Sequence, residues 1–77
     1  MPKSAFTRRS EHLRQLLVDA RANAKHTQVA LAKKLNRPQS FVSKFERGER
    51  RLDVVEFLEA ADALGVDAHR ILREIQR

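Results

Sequence analysis

Apolar residues recur along most of the chain at intervals of three and four, which is the spacing of amphipathic helices. In the first such segment, residues 7–23, the apolar stripe consists of Leu13, Leu16, Leu17 and Ala20. The same spacing returns in four later segments, and no segment alternates apolar and polar residues as a strand does. The pattern therefore predicts five helices and an all-α fold class.

Residues typical of helix ends separate these segments. Thr27 is a good N-cap for the second helix, and Asn36 tolerates the left-handed backbone with which a helix can end. The third helix is predicted to begin at Pro38, because the fixed φ of proline suits a first turn, and to have Gly48 as the C′ residue beyond its end. The apolar residues assigned to the buried sides of these two helices are Leu31, Ala32, Leu35, Val42 and Phe45.

The fourth and fifth helices are predicted in the same way. Asp53 and Glu56 have the spacing of a capping box, and Leu52 and Phe57 bracket it as a hydrophobic staple. Asp67 is the predicted cap of the fifth helix. The stripe of the fourth helix is predicted to consist of Val54, Phe57, Leu58, Ala61 and Leu64, with Gly65 closing the helix. The stripe of the fifth is predicted to consist of Ala68, Ile71, Leu72 and Ile75.

Length and composition limit the class of protein. A chain of 77 residues suffices for one compact domain, so residues 1–77 are predicted to form a single domain with residues 1–6 as a flexible N-terminal tail. The absence of Cys leaves neither a disulfide framework nor a Cys-based zinc site. Because the apolar segments are too short for a membrane span and no apolar leader follows Met1, we expect a cytoplasmic protein without membrane contact, nucleoid-associated in a bacterium.

Positive charge is concentrated in the middle of the chain. The net charge is +6, and residues 27–51 carry seven Lys and Arg against two Glu, a balance of +5. Residues 52–77 carry three Arg against six Asp and Glu, a balance of −3. A basic face favours a polyanionic partner, but charge also serves solubility, so charge alone leaves both interpretations open.

The segment over residues 28–47 meets the requirements of a helix-turn-helix together. Two short helices joined by about three or four residues cross nearly at a right angle. Such a crossing needs a small residue, which Ala32 supplies, and a turn residue that accepts positive φ, which Asn36 supplies. This combination is far more specific than a basic charge. It predicts a compact domain with a helix-turn-helix at the second and third helices.

The same segment resembles the phage repressor/Cro-like (XRE-type) helix-turn-helix family. The resemblance extends over residues 13–72 and implies a five-helix, repressor-like domain that binds double-stranded operator DNA as a two-fold dimer. It is densest at Thr27-Gln28, Leu31-Ala32, Gln39-Ser40, Val42-Ser43, Glu46-Arg47-Gly48 and Ala63-Leu64-Gly65-Val66. The chain departs from the family pattern at Lys25, His26, Asn36, Arg37, Pro38 and Phe41.

Candidate DNA contacts follow from the place of the third helix in the major groove. Gln can pair with both edge atoms of adenine, Lys can reach guanine, and an apolar ring can pack on a thymine methyl. The candidate base contacts are Gln39, Ser40, Phe41, Ser43 and Lys44, of which Phe41 is equally open to partial burial. The candidate phosphate contacts, which set register without reading sequence, are Gln28, Arg47, Arg50 and Arg51.

The resemblance also implies two structural contacts. The family commonly pairs an Arg of the first helix with a Glu at the end of the third, and Arg21 and Glu46 stand at those positions. We therefore expect a partly buried ion pair that fixes the recognition helix against the scaffold. Gln28, at the start of the second helix, is expected to brace Gln39 as well as to anchor a phosphate.

The sequence does not favour an enzyme, a cofactor, a metal site or a small-molecule ligand. The three His fall in separate elements, and there is neither a glycine-rich phosphate loop nor a nucleophile elbow. Glu56 and Glu59 are assigned to the solvent-facing side of the fourth helix rather than to acid–base chemistry.

The leading hypothesis is a transcription regulator, with repression as its expected sign, that binds a short palindromic operator as a homodimer. The resemblance suggests an interface around the fourth and fifth helices, where Ile71, Leu72 and Ile75 are candidates both for the interface and for the core. The alternative is a protein-interaction module with the same fold, such as a toxin–antitoxin antitoxin or a coactivator-like adaptor. A third hypothesis is binding of nucleic acid through charge alone.

Overall fold

The computed structural model describes residues 7–77, so the predicted flexible tail over residues 1–6 lies outside the described residues. The described residues form five α-helices without a strand, which confirms the predicted all-α class. The helices are α1 (Arg8–Asn23), α2 (Gln28–Leu35), α3 (Gln39–Glu46), α4 (Val54–Leu64) and α5 (Ala68–Gln76).

Helices α2, α4 and α5 begin at the predicted cap residues Thr27, Asp53 and Asp67. The hydroxyls of Thr7 and Thr27 each accept a hydrogen bond from the backbone N–H three residues further on. Asp53 and Glu56 form the predicted capping box, in which each carboxylate accepts a hydrogen bond from the other residue's backbone N–H, at 2.7 and 2.9 Å. Pro38 has an extended ψ of 155° and is the N-cap, so α3 begins one residue later than predicted.

Two turns use left-handed residues that are not glycine. Asn36 has a φ of 57°, which lets the backbone N–H of Arg37 return to the carbonyl oxygen of Ala32 at 3.0 Å and close α2. Lys25 has a φ of 62° between α1 and α2, a conformation that costs a residue with a Cβ atom about 1 kcal/mol. The turn of the helix-turn-helix is therefore built on Asn36, as predicted.

The core lies where α2 and α3 cross and is enclosed by the other three helices. Leu17, Leu31 and Val42, one from each of the first three helices, are the largest fully buried side chains. The core also includes Ala32, Phe41, Phe45, Phe57, Leu64 and Ile71. Every apolar anchor predicted for the helix-turn-helix is thus buried or packed against the core, and α3 is held by its inner side.

The apolar side of α4 differs from the prediction. Val54 and Leu58 were expected in the buried stripe, but they are 74% and 43% exposed. The buried residues of the helix are Glu56, Phe57, Ala60, Ala61 and Leu64. Since one residue advances a helix by roughly 100°, Leu58 is turned away from the direction of Phe57. Val55 is also exposed, so the three residues Val54, Val55 and Leu58 form an apolar surface that we call the α4 flank.

The three residues of α5 that were candidates for both the core and the interface, Ile71, Leu72 and Ile75, differ in their burial. Ile71 is buried in the core, and Ile75 is half-buried and packs against it. Leu72 is 47% exposed. Of these three, only Leu72 is therefore available for contact with another molecule.

Candidate nucleic-acid interface

Helix α3 separates apolar and polar residues between its two sides. Val42 and Phe45 are buried and anchor the inner side. On the outer side, Gln39, Ser40 and Lys44 are exposed and Ser43 is half-buried. Four of the five predicted base-contacting side chains are therefore together on one accessible surface at the amino-terminal end and middle of the helix.

Phe41 does not belong to this surface, which corrects its place among the base contacts. The residue is 8% exposed, and its ring meets that of Phe45 edge to face with centroids 5.7 Å apart. The guanidinium carbons of Arg37 and Arg50 lie over the ring, 4.6 and 4.7 Å from its centroid. A cation is attracted to the electron-rich face of an aromatic ring, so these two side chains cover Phe41 and complete its burial.

The predicted ion pair between α1 and α3 is present. The Arg21 Nε and Nη2 atoms donate to the two carboxylate oxygens of Glu46 at 2.6 and 3.0 Å. The Glu46 side chain is only 6% exposed, and Arg21 also donates to the carbonyl oxygen of His26 at 2.9 Å. Hydrogen bonding to Glu46 raises the pKa of the Arg21 guanidinium above its ordinary value. The carboxyl end of the recognition helix is thereby fixed to α1 and to the turn before α2.

A chain of hydrogen bonds leads from this ion pair to the outer side of α3. Gln28 Nε2 donates to Glu46 Oε1 at 2.9 Å, and Gln39 Nε2 donates to Gln28 Oε1 at 3.1 Å. Because an ionised carboxylate can only accept, Glu46 requires the amide nitrogen of Gln28 to face it. The oxygen of Gln28 then faces Gln39, which must donate. We call this series, Glu46–Gln28–Gln39, the amide relay.

The amide relay leaves part of the Gln39 amide unused. Its Oε1 and its second N–H are not used in the relay, and they are the acceptor and donor that match N6 and N7 of adenine. The buried carboxylate therefore determines which way the amide at the tip of the recognition helix is oriented.

Arg14 also holds the carboxyl end of α3, a contact that was not predicted from the sequence. Its Nη1 donates to the main-chain oxygen of Glu46 at 2.9 Å, and its Nη2 is paired with Glu11. A cation at the last carbonyl groups of a helix is also favoured by the helix dipole. Arg14 and Arg21 are seven residues apart and so lie on the same face of α1, a spacing that could have indicated a shared target.

The three arginines after α3 are placed differently. All three are exposed. Arg47 donates to both carboxylate oxygens of Glu49 at 2.8 and 3.1 Å and to the Ser43 hydroxyl, and Arg51 donates to the Ser10 hydroxyl at 3.1 Å. Arg50 instead turns towards α4 and binds Glu56 with two hydrogen bonds of 2.9 and 2.8 Å. In this structure Arg47 and Arg51 have the accessibility that a phosphate contact needs, whereas the Arg50 guanidinium is held by the scaffold.

Glu56 does not lie on the solvent-facing side of α4, to which it was assigned from the sequence. Its side chain is 9% exposed, whereas that of Glu59 is 49% exposed. Hydrogen bonds from Arg50 and then from the Asp53 backbone N–H lower the pKa of Glu56 from its ordinary value to about 2. The capping-box spacing had indicated the contact with Asp53, but no local pattern indicated the arginines that neutralise the carboxylate.

Other kinds of site find no support in the part of the chain that the structure describes. No group of three or more His, Cys, Asp and Glu side chains among residues 7–77 is arranged to hold a metal ion. None of the helices formed by these residues has the combined length and hydrophobicity needed to cross a bilayer.

Comparison with known proteins identifies the arrangement. A family model described as a helix-turn-helix domain matches residues 12–73. The chain is similar to a solved structure described as an XRE-family like protein from Pseudomonas syringae pv. tomato str. DC3000. The two are 47% identical with a TM-score of 0.85, over 88% of this chain and 83% of that chain.

A second solved structure is that of the restriction-modification controller protein C.AhdI from Aeromonas hydrophila. It is 28% identical to this chain with a TM-score of 0.72, over 78% of this chain and 91% of that one. A comparison with curated proteins gave no significant match. From the family match and the structural similarity, the chain belongs to the XRE-type helix-turn-helix family of DNA-binding transcription regulators.

Proposed function

We propose that this protein regulates transcription by binding a short palindromic operator, with sequence specificity, as a homodimer. The observation that carries the proposal is the amide relay, which orients Gln39 before any DNA is bound. A side chain that is already held in its binding orientation loses less conformational freedom when it meets its target. The relay therefore favours a protein that reads a defined base over one that binds any polyanion.

The outer side of α3 supplies the base contacts in this proposal. Gln39 pairs with an adenine through its free oxygen and its second N–H, and Lys44 reaches a guanine one turn further along the groove. Ser40 and Ser43 are short and can accept or donate, so they suit several bases. Each well-formed bidentate contact is worth about 1–3 kcal/mol of discrimination against the wrong base.

Phosphate contacts on both sides of α3 fix its register on the duplex. Gln28 lies in the first turn of α2, where free backbone N–H groups and the helix dipole attract an anion. Arg47 and Arg51 extend from the loop after α3. The +5 balance of residues 27–51 gives this whole face the sign that DNA requires.

A homodimer is proposed because one short recognition helix presents only three or four side chains to base edges. The exposed α4 flank supplies an apolar surface, and a two-fold axis through it would pair the same residues from both copies. The two recognition helices would then meet half-sites about 34 Å apart. Occupancy of an operator that overlaps a promoter excludes polymerase, so repression is the expected sign.

The experiment that tests specificity is selection of bound duplexes from a random pool. We expect an enriched motif with two inverted half-sites about one helical turn apart, bound about 1,000-fold or more tightly than random DNA. A protein with the Gln39→Ala change serves as the comparison and should lose the preference at one position of each half-site. A pool without any enriched motif would rule out sequence-specific regulation and leave binding through charge.

The dimer is tested separately with the double variant Val54→Glu, Leu58→Glu. A glutamate at position 54 begins α4 and favours its dipole, so the fold should be retained. We expect sedimentation to show a monomer and selection to recover a single half-site. Leu72→Glu is the matched control on α5, and dissociation by this change instead would place the interface there.

A further inference from the structure

Four side chains from four parts of the chain meet beside the recognition helix. Arg37 lies in the turn between α2 and α3, Phe41 in α3, Arg50 in the loop after α3, and Glu56 in α4. Arg50 binds both oxygens of Glu56, and Arg37 approaches the same carboxylate at 3.5 Å. Both guanidinium groups lie over the Phe41 ring. We call these residues the α3–α4 cluster.

The cluster connects α3 to α4, although these two helices make little direct contact with each other. The backbone of α3 lies mainly against α2 and α1. Phe41 is in the first turn of α3, whereas the ion pair of Glu46 with Arg21 holds the last turn. The recognition helix is therefore fixed at its carboxyl end by α1 and at its amino end by the α3–α4 cluster.

The cluster also shapes the loop that follows α3. Besides its two bonds to Glu56, the Arg50 guanidinium donates to the carbonyl oxygen of Arg51 at 2.9 Å. That bond fixes the backbone at Arg51, one of the two exposed arginines that the proposed function assigns to phosphates. The Glu56 carboxylate is thus connected through Arg50 both to Phe41 in α3 and to the loop that follows α3.

We infer that Glu56 is a positioning residue for DNA recognition, which holds Arg37 and Arg50 over Phe41 and so keeps α3 and the following loop in the orientation that reads the operator. The inference rests on the proposed sequence-specific function. It assigns to Arg50 a role in the scaffold in place of the phosphate contact expected from the sequence. A recognition helix that can tilt loses base contacts, which need accurate geometry, before it loses phosphate contacts, which tolerate displacement.

The experiment compares Glu56→Gln with the unchanged protein. Glutamine is also accepted at this position of a capping box, so the change keeps the cap and the volume and removes the charge that binds both arginines. Affinity is measured for the selected operator and for a random duplex of equal length, over a range of salt, at a temperature where circular dichroism shows both proteins folded. We expect the operator to be bound about five- to tenfold more weakly, with random DNA within about twofold and the salt slope unchanged.

Glu59→Gln is the matched control, since it makes the same chemical change one turn further along α4. Glu59 is half exposed and its nearest oxygen is 3.6 Å from Arg37. An exposed pair at that distance contributes little, so this variant should bind both duplexes as the unchanged protein does. Phe41→Leu is the second test variant, because it retains an apolar side chain but removes the ring face on which the arginines lie. It should lower the operator-to-random ratio in the same direction as Glu56→Gln.

Two results would overturn the inference. If Glu56→Gln and Phe41→Leu keep the operator-to-random ratio of the unchanged protein, the cluster does not position α3 for reading. If random DNA is bound more tightly with a steeper salt slope, the effect of Glu56 is only to keep Arg37 and Arg50 away from the DNA phosphates. An unchanged protein without operator preference would contradict the proposed function itself, which the same titrations reveal before any variant is compared.

Discussion

Two buried carboxylates flank the recognition helix, and each is held by a bidentate arginine. Glu46, at the end of α3, is bound by Arg21 of α1, and Glu56, in α4, is bound by Arg50 of the preceding loop. The two ion pairs are alike in distance and in the burial of the carboxylate, but the Arg50 side chain is 39% exposed and that of Arg21 only 19%. They differ in what the carboxylate does with its remaining capacity to accept hydrogen bonds.

Glu46 accepts a hydrogen bond from Gln28 and thereby sets the orientation of Gln39 on the outer side of α3. Glu56 accepts from the backbone N–H of Asp53 and so stabilises the beginning of its own helix. The third hydrogen bond therefore separates the two carboxylates: that of Glu46 leads through Gln28 to an exposed side chain of α3, and that of Glu56 leads to the backbone at the beginning of α4.

The largest effect is expected when Arg21 is replaced by Ala. Glu46 would be left buried without a counter-charge, a change that destabilises proteins by about 3 kcal/mol or more. The amide relay would lose its fixed end, so operator affinity should fall as well. Urea denaturation measures the first effect and operator titration the second, with Arg73→Ala on the exposed side of α5 as the control. Unchanged stability together with unchanged affinity would show that Glu46 does not depend on Arg21.

Acid should remove the stabilisation that the ionised Glu56 carboxylate gives to the folded protein. Its pKa in the folded protein is about 2, below the ordinary value of 4.5, so the unfolded chain binds the proton more readily between these values. The stabilisation is complete above pH 4.5 and is lost as the pH falls towards 2. We expect about 2 kcal/mol to be lost over this range, less than the full shift implies because Arg50 remains partly in water.

The measurement is the free energy of unfolding by urea at several pH values between 2 and 6. Glu56→Gln should start lower and show a flatter dependence on pH in this window, since glutamine does not titrate. Glu59→Gln should follow the unchanged protein. If Glu56→Gln has the same slope as the unchanged protein, another carboxylate is responsible for the acid sensitivity.

The contacts of Glu46 could be predicted from the sequence better than those of Glu56, and this difference has a physical cause. The contacts of Arg21 with Glu46 and of Gln28 with Gln39 join regular helices at positions that the family resemblance covers, so both were predicted, whereas the contact of Gln28 with Glu46 was not. Glu56 was expected only as part of a capping box, because its arginines lie in a turn and a loop. Neither helical periodicity nor cap spacing indicates where a loop side chain folds back.

Val54 and Leu58 were misassigned, and Phe41 was left open between base contact and burial, for a related reason. Periodicity gives the spacing of apolar residues but not the direction of the neighbouring helices. Phe41 is buried because two arginines cover it from outside α3, and Val54 and Leu58 are exposed because nothing within residues 7–77 covers that flank. The helix ends, by contrast, were predicted nearly to the residue, since caps depend on local hydrogen bonds.

A smaller and more local effect is expected when Gln39 is replaced by Ala. The change removes the reading end of the amide relay and leaves the Glu46 ion pair intact, so stability should change by less than about 0.5 kcal/mol. Discrimination should be relaxed at one base position of each half-site, by about tenfold. Titration of duplexes that carry single substitutions across the operator measures it. Loss spread evenly over all positions would mean that Gln39 supports the helix instead of reading a base.

The smallest effect is expected when Arg51 is replaced by Ala. Its guanidinium is exposed and, within residues 7–77, donates to the hydroxyl of Ser10, so the fold should be unaffected. One phosphate contact would be lost, which weakens operator and random DNA by the same factor and reduces the salt slope by about one. Because this loss is independent of sequence, it contrasts with both Gln39→Ala and Glu56→Gln. A change in the operator-to-random ratio would place Arg51 among the residues that orient α3, beside Arg50, rather than on the phosphate backbone.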